Sequence, residues 1–568
     1  MYADHIAFFA SSRDIHLLYQ ILQGYLDALG VWLQGINLSL NVDKCGVLVF
    51  PPDRPLHISL VHRSLQIPQV ESVKYLGVTY HPALDWSLHI KNNAFKGERA
   101  LGRLTRIANK KFGMRRDTLL LLYKAYVRPI LEFGCILFSG SASYKIQPLI
   151  LLERRALRLC LGLPKSVSNA LLYLEAPIPD LPSRFQILTV RTFLRSMDPV
   201  TDVSTPIFVS QPALFFSHHW PRYQMPQIML TQNLLTPIGV DLSSLQWVDD
   251  TPASVEFHFD HIFPSHAKHM PANILNGILS DHIEKYPHHT VLATDASVNC
   301  QKAAVGIFSQ DLAWSYSVRI PDYIPIFFAE FLALGMALHK IPCHVSHVII
   351  LADCLSVLVS LDTSQEDFLS RILRFFVPCT LKVVRFVWVP GHAGIHSNEV
   401  ADYLARSALD GSVTHPVPNF SLLAISRFQR FLHISARLRD PLLNTTEYQH
   451  LAYNWNVRSC KSRLCEVTMT RLRCRIPSLN LYLCRCGLTP TNLCDACGKV
   501  ESLDHFLLYC PKFALQRKIY LEVPLSRLGL PLSLPVLLSF GANAKGFALG
   551  SICGFLHDYI IATGRLMC

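Results

Sequence analysis

Charge is what this sequence is short of. Only 17% of its 568 residues are Asp, Glu, Lys or Arg, while half are hydrophobic. Such a chain is neither disordered nor fibrous, because it carries enough apolar surface to offset the entropy of ordering. Cysteine is thin as well: 17 in this length do not make a small disulfide scaffold. The opening Met1-Tyr2-Ala3-Asp4-His5 lacks the charged-then-apolar layout of a secretory leader. An intracellular, non-secreted protein is expected, with nucleus and cytoplasm both open and its thiols free or metal-bound. No segment offers the ~20 apolar residues of a clean membrane crossing. Gly529 to Ala544 is uncharged but broken by Pro531 and Pro535, and Leu119 to Leu122 soon meets Lys124, Arg128 and Glu132. There is no internal repeat and no low-complexity tract.

Within that sparse charge the bases win. Lys and Arg total 53 against 41 acids, a formal charge of +12. A surplus of this size suits an acidic polymer such as nucleic acid. The length suggests about three or four domains. Residues 1–85 read as short strands and turns around one early helix, with strand composition at Gly46–Phe50 and Tyr75–Tyr80. Residues 86–200 read as helical and hold Lys91, Lys96, Arg99, Arg103, Arg106, Lys110, Lys111, Arg115 and Arg116. Residues 201–285, rich in Pro, His and Ser, read as a connector. Residues 286–411 alternate strands and helices. Residues 412–475 read as a basic helical connector, 476–525 as a Cys/His region and 526–568 as a Leu-rich tail.

The chemistry concentrates in 286–411. Val291-Leu292-Ala293-Thr294 is an apolar strand running into Asp295. Two more strands follow, Ala303–Gln310 and Leu312–Arg319, spaced as hairpins. Good helix formers then surround Glu330, which is costly to bury without a partner or a metal. Val348-Ile349-Ile350-Leu351-Ala352 is another apolar strand, ending at Asp353. A strand over Leu381–Val389 enters the loop Pro390-Gly391-His392-Ala393-Gly394, followed by a helix start at Ser397-Asn398-Glu399 and by Asp402. Each acid alone reads as a cap or a solvated helix residue. Together they make a cluster that repels itself unless cations neutralise it. Mg²⁺ prefers such hard oxygen ligands, and two ions ~4 Å apart can clamp the attacking and leaving oxygens of a phosphodiester.

Thr294-Asp295-Ala296-Ser297, Ala329-Glu330, Ala352-Asp353, Gly391-His392-Ala393-Gly394 and Asn398-Glu399 through Ala401-Asp402 stand in the order of the ribonuclease H motifs, which this zone resembles. The resemblance implies an α/β fold, a five-stranded mixed sheet with flanking helices. It implies hydrolysis of the RNA strand of an RNA–DNA hybrid, leaving a 5′-phosphate and a 3′-hydroxyl. Carried over, Asp295, Glu330, Asp353 and Asp402 hold two Mg²⁺, and His392 assists proton transfer or product release. Ser297 and Asn299 are candidates for sensing the RNA 2′-hydroxyl.

Upstream, Tyr2-Ala3-Asp4-His5 precedes Ile6-Ala7-Phe8-Phe9-Ala10. Leu38 to Cys45, Val73 to Val78 and Leu84 to Ile90 follow at fitting intervals. This looks like the rear of a reverse transcriptase palm and then a thumb, from a non-LTR retrotransposon of the jockey or I type. Where that family has two adjacent Asp, this chain has Asp4 and His5. The fingers and the partner palm Asp have no counterpart in the sequence, so the chain is not expected to polymerise alone. The basic helices at 91–116 read either as a thumb tracking phosphates or as a solvated face.

Cys494-x2-Cys497-x7-His505-x4-Cys510 has the ligand spacing of one tetrahedral Zn²⁺, with Gly498 for the turn and Cys484 and Cys486 as possible competitors. It resembles the zinc knuckle found late in those retrotransposon proteins. Its use there implies single-stranded nucleic acid as a further partner, with Tyr482 and Phe506 as stacking surfaces or as core. The leading expectation is a Mg²⁺-dependent ribonuclease within a truncated retrotransposon polyprotein. The alternatives are an idle nucleic-acid-binding remnant and a polymerase completed by a second chain.

Overall fold

A computed structural model describes residues 6–50, 57–110, 112–196, 231–240, 255–264, 266–362, 368–412, 414–418, 420–438, 441, 445, 447–452, 460, 462–539 and 548–566. Asp4, His5 and Lys111 lie outside them. The chain divides into two units. One comprises residues 1–188, 212–229 and 440–568; the other comprises 189–211 and 230–439.

The first unit opens with helix α1 (Ile15–Gly35), capped by the Asp14 carboxylate accepting from the His16 N–H at 2.9 Å. Two small antiparallel hairpins follow, β1 (Leu60–His62) with β2 (Leu65–Ile67) and β3 (Val73–Tyr75) with β4 (Val78–Tyr80). Gly46–Phe50, expected as a strand, contributes only an isolated bridge between Val47 and Gln69. Tyr75–Tyr80, expected as one strand, contains the turn of a hairpin, where Leu76 and Gly77 adopt positive φ.

Helices α2 (Ser87–Ile107), α3 (Arg116–Leu122), α4 (Ser143–Leu161) and α5 (Asn169–Glu175) then enclose an apolar core that includes Leu101, Leu119, Phe138, Leu149, Leu157 and Phe185. On α2, Lys91, Lys96, Arg99, Arg103 and Arg106 face solvent. Arg116, grouped with them in sequence, is instead buried and donates to Glu175 at 2.7 Å.

The second unit is built on one six-stranded mixed sheet. Its strands are β5 (Glu256–Asp260), β6 (Thr290–Asn299), β7 (Lys302–Ser309), β8 (Trp314–Ile320), β9 (His347–Ala352) and β10 (Val383–Trp388), in the spatial order β5-β10-β9-β6-β7-β8. β5, β10, β9 and β6 run parallel, and β6, β7 and β8 form an antiparallel meander. Five strands were expected, and the sixth lies in the stretch read as a connector. Residues 256–285 of that stretch supply β5 and helix α6 (Ala272–Ile283), so the sheet unit begins well before residue 286.

Alternation along the strands divides the core. Leu292, Val348, Ile350, Val384 and Phe386 point to one face, under helix α7 (Ile326–Lys340) and its neighbours α8 (Leu355–Asp362) and α9 (Phe368–Phe375). Ala293, Ile349, Leu351 and Val387 point to the other, under α6 and helix α10 (His396–Ala408). Helix α11 (Ser421–Leu438) belongs to this unit as well, with buried Arg427 donating to the Ile238 and Asp322 carbonyls.

Chain 440–568 returns to the first unit. Helix α12 (Arg463–Arg473) is no connector. Arg473 is 1% exposed and donates to Glu175 at 3.0 Å, and Arg463 donates to the Cys160 carbonyl at 2.6 Å. Glu466 on the same helix accepts from the Arg115 guanidinium at 2.6 Å and from the Arg116 backbone N–H at 2.8 Å. The Leu-rich tail is likewise core, with Leu534, Leu537, Leu538 and Leu556 packed beside the Cys/His region. Among the described residues no helix is long and apolar enough to cross a membrane.

Glu153 on α4 is fully buried, and burial pushes its carboxyl up to about 7 against the pull of Tyr173 and the Leu181 N–H. The folded unit therefore holds a proton that the unfolded chain releases above about 4.5. Its contribution to stability is full below that pH and is lost as pH rises through 7, by up to about 3 kcal/mol. Glu153→Gln keeps an acceptor for Tyr173 and Leu181, and its amide can donate to the Tyr123 hydroxyl. Thermal unfolding followed from pH 5 to 8 should show the wild type losing stability relative to this variant. Parallel curves would refute the buried-proton account.

Candidate active site and a second candidate metal centre

Strand register brings the first two acids together. Thr294 pairs with Ala352 across the parallel β6 and β9, so Asp295 and Asp353 emerge side by side, each one residue further along. Glu330 reaches them from the first turns of α7, where it is 6% exposed and takes the Ala296 N–H. One carboxylate oxygen each from Asp295, Glu330 and Asp353 lies within 4.8 Å of the others.

Asp402 joins through α10. This helix lies directly over β7 because Gly306, opposite Asp295 in the β6–β7 ladder, has no side chain. A Cβ there would sit 2.2 Å from the Ala401 carbonyl oxygen. Asp402 hydrogen-bonds Asp295 and is also held by Arg406, whose Nε is 2.8 Å from it. The His392 Nδ1 lies 3.6 Å from Asp402. His392 stands exposed at a loop position with φ of +55°, and Arg406 also reaches its Nε2 at 3.3 Å.

Electrostatics follow from the crowding. Burial, then the carboxylates of Asp353 and Asp402, push Asp295 up to about 8. Burial and Asp295 hold Glu330 well above the ordinary carboxylate range. Burial also raises Asp353, against the opposing pull of His392 and of a hydrogen bond from Asn398. Such a cluster keeps protons or takes cations. Its donors are hard oxygens, which suits Mg²⁺. Asn398, itself buried, leaves its Oδ1 without a donor among the described residues, a further polar atom beside the cluster.

All five expected site residues thus occupy one end of the sheet. Four supporting residues were given no role of their own in the sequence. Gly306 was legible as a glycine inside a strand pattern, a common mark of close backbone approach. Gly391 packs so near that a Cβ would fall 2.4 Å from the Asp353 Oδ2. Asn398 was read as part of a helix start and of the motif that runs on to Asp402, with no role of its own. Arg406 had no signal beyond its place four residues after Asp402. Ser297 is half-buried and Asn299 exposed at the end of β6.

The Cys/His region gathers Cys494, Cys497, His505 and Cys510, whose ligand atoms all lie within 4.8 Å of one another. The Cys497 Sγ is 3.2 Å from the His505 Nε2, and the Cys494 and Cys510 sulfurs are 3.9 Å apart. Ligands at Zn–S ~2.3 Å and Zn–N ~2.0 Å in a tetrahedron stand ~3.5–3.8 Å apart, so the set fits zinc. A turn at Gly498, φ +69°, closes the first pair of cysteines, and the Gly498 N–H donates to the Cys494 carbonyl at 2.9 Å. Burial pushes the Cys494 thiol up, but the Ala496 and Cys497 N–H groups and neighbouring thiols bring it below its ordinary value. Cys484 and Cys486 are not part of the group. Phe506 is core, 1% exposed, and Tyr482 is half-buried against Ser166.

No protein-family model matches the chain. Over 185 residues, 33% of this chain and 20% of the other, it is 24% identical to the RNA-directed DNA polymerase from mobile element jockey of Drosophila melanogaster. Over 178 residues, 30% of this chain and 19% of the other, it is 26% identical to the probable RNA-directed DNA polymerase from transposon BS of the same fly. Among solved structures, ribonuclease H1 from Halobacterium salinarum matches 22% of this chain and 99% of its own, at 21% identity and a TM-score of 0.19. The chain spans about a fifth of the length of the curated relatives it matches. Through these matches it is a homologue of the RNA-directed DNA polymerases of jockey-type non-LTR retrotransposons.

Proposed function

We propose that the sheet unit is a ribonuclease H-type domain that uses Mg²⁺ to hydrolyse the RNA strand of RNA–DNA hybrids. The observation that carries this reading is the convergence of Asp295, Glu330 and Asp353 within 4.8 Å, with Asp402 hydrogen-bonded to Asp295. The parallel-plus-meander sheet and the ordered motifs on it support the same reading.

Asp295, Glu330, Asp353 and Asp402 would hold the ions. Magnesium supplies charge stabilisation at the attacking and leaving oxygens of the phosphodiester. The chain's own residues prepare that site. The β6–β9 register fixes the spacing of Asp295 and Asp353, and Asn398 orients Asp353. Water adds to phosphorus as the bond to the 3′-oxygen breaks, leaving a 5′-phosphate and a 3′-hydroxyl. His392, exposed and 3.6 Å from Asp402, would hand a proton to the departing oxygen. Ser297 and Asn299 offer a hydroxyl and an amide to the 2′-hydroxyl that marks RNA. Arg406 holds Asp402 through an exposed side chain and can yield to a cation.

In the other unit, Cys494, Cys497, His505 and Cys510 are proposed to bind one structural zinc. Four protein ligands close such a site, which suits it to folding rather than to hydrolysis.

Two measurements test these readings. A labelled RNA–DNA hybrid incubated with the protein and Mg²⁺ should lose its RNA strand. Losing outer-shell partners alone costs ~10–100-fold in metalloenzymes, so Asp295→Asn should cost roughly a hundredfold or more. An inert wild type with an intact circular dichroism spectrum would sink the hydrolase reading in favour of an idle remnant. Elemental analysis should find about one zinc per chain, lost in Cys497→Ser together with thermal stability of the first unit. A metal-free wild type would remove the zinc.

A further inference from the structure

A cavity of about 210 Å³ opens in the first unit, and none of its lining residues is a candidate metal ligand. Its lining joins Lys110, just past α2, to the length of α12 from Leu464 to Arg471, to Pro477 and Ser478 after it, and to Leu566. Lys110 and Arg471 bring positive charge to it, Thr468 and Ser478 bring hydroxyls, and Leu464 and Val467 form an apolar wall. Among the described residues no carboxylate lines it. That is unusual in this unit, where Arg115, Arg116, Arg463 and Arg473 each meet Glu466 or Glu175.

The Nε of Arg471 donates to the Gly162 carbonyl at 3.2 Å, which anchors the guanidinium by one edge. Among the described residues neither Lys110 nor Arg471 has an ion-pair partner. Partial burial lowers both, Arg471 lowers Lys110 further, and Tyr482 pulls Arg471 back up. Two cations held together without an anion repel each other, and the fold retains the arrangement. A flat guanidinium beside a point-like ammonium matches a tetrahedral oxyanion, which can accept from both at once. Ser478 adds a hydroxyl donor, and the apolar wall suits the carbon skeleton that a phosphate ester carries.

The geometry points to a phosphoryl-binding pocket formed by Lys110, Arg471 and Ser478, able to take a free phosphate or nucleotide or one phosphate of a nucleic-acid backbone. The site is independent of the proposed hydrolase, since none of its residues lies in the sheet unit. It also gives one part of the chain's basic surplus a defined address, unlike the solvated cations along α2.

The test uses the full chain, with inorganic phosphate and a single-stranded oligonucleotide as separate probes. Lys110 is exposed, so Lys110→Ala leaves the core intact; Arg471→Gln removes the fork, and Arg471→Lys restores charge without it. Phosphate should raise the thermal midpoint of the wild type, and each loss of a charged donor should weaken its binding roughly tenfold or more. Arg471→Lys should recover part of that loss. If the oligonucleotide weakens in parallel, with a salt slope shallower by ~1 per lost cation, the occupant is a backbone phosphate. If only phosphate binding falls, the pocket takes a small phosphoryl ligand. Equal phosphate response in wild type and in Lys110→Ala and Arg471→Gln, or no response at all, overturns the proposal.

Discussion

Like charge forced into a small, poorly solvated space is the constraint on which the sheet unit turns. The register between β6 and β9 leaves Asp295 and Asp353 no distance in which to avoid each other, and α7 adds Glu330 from the side. Nothing in folding rewards this. Burial and mutual repulsion raise all three acids, so the unit carries a local cost that only protons or cations relieve. Stored strain of this kind is kept where it serves a purpose. The close approach of α10 at Gly306, the loop backbone at Gly391 and the amide of Asn398 all hold the repelling groups in place.

The other unit solves the opposite problem. Several of its buried charges stand in pairs of opposite sign. Glu175 receives Arg116 from α3 and Arg473 from α12, while Glu466 receives Arg115 and the Arg116 N–H. Removing a partner from such a set leaves a buried ion behind, which costs far more than the pair contributes. These contacts specify which helices meet. The Cys/His region is fastened separately, its Phe506 carbonyl accepting from the buried Tyr559 hydroxyl at 2.7 Å.

Much of the sheet unit was legible because its information is local. A run of apolar residues ending in a carboxylate announces Asp295 and Asp353, and a Glu amid helix-forming apolar residues announces Glu330. The Cys494 to Cys510 spacing is local too. What escaped was set by distant partners. β5 reads Glu-Phe-His-Phe-Asp, too polar at both ends to stand out, and becomes a strand by pairing with β10 more than a hundred residues later. Arg116 looked like one more surface cation, yet its destination is Glu175. The basic character of α12 suggested a connector, but Arg463 and Arg473 are interior residues whose acceptors belong to another stretch of chain.

That last arrangement bears on how the polypeptide matures. Helices α3 and α5 present Arg116 and Glu175 early in synthesis, but Arg473 and Glu466 leave the ribosome only after the entire sheet unit has been made. Translation proceeds at roughly 5–20 residues per second, so the early helices wait with half of a charge network exposed. The interrupted unit therefore closes last, and a nascent chain stalled just after the sheet unit carries a helical core in which Glu175 still lacks Arg473.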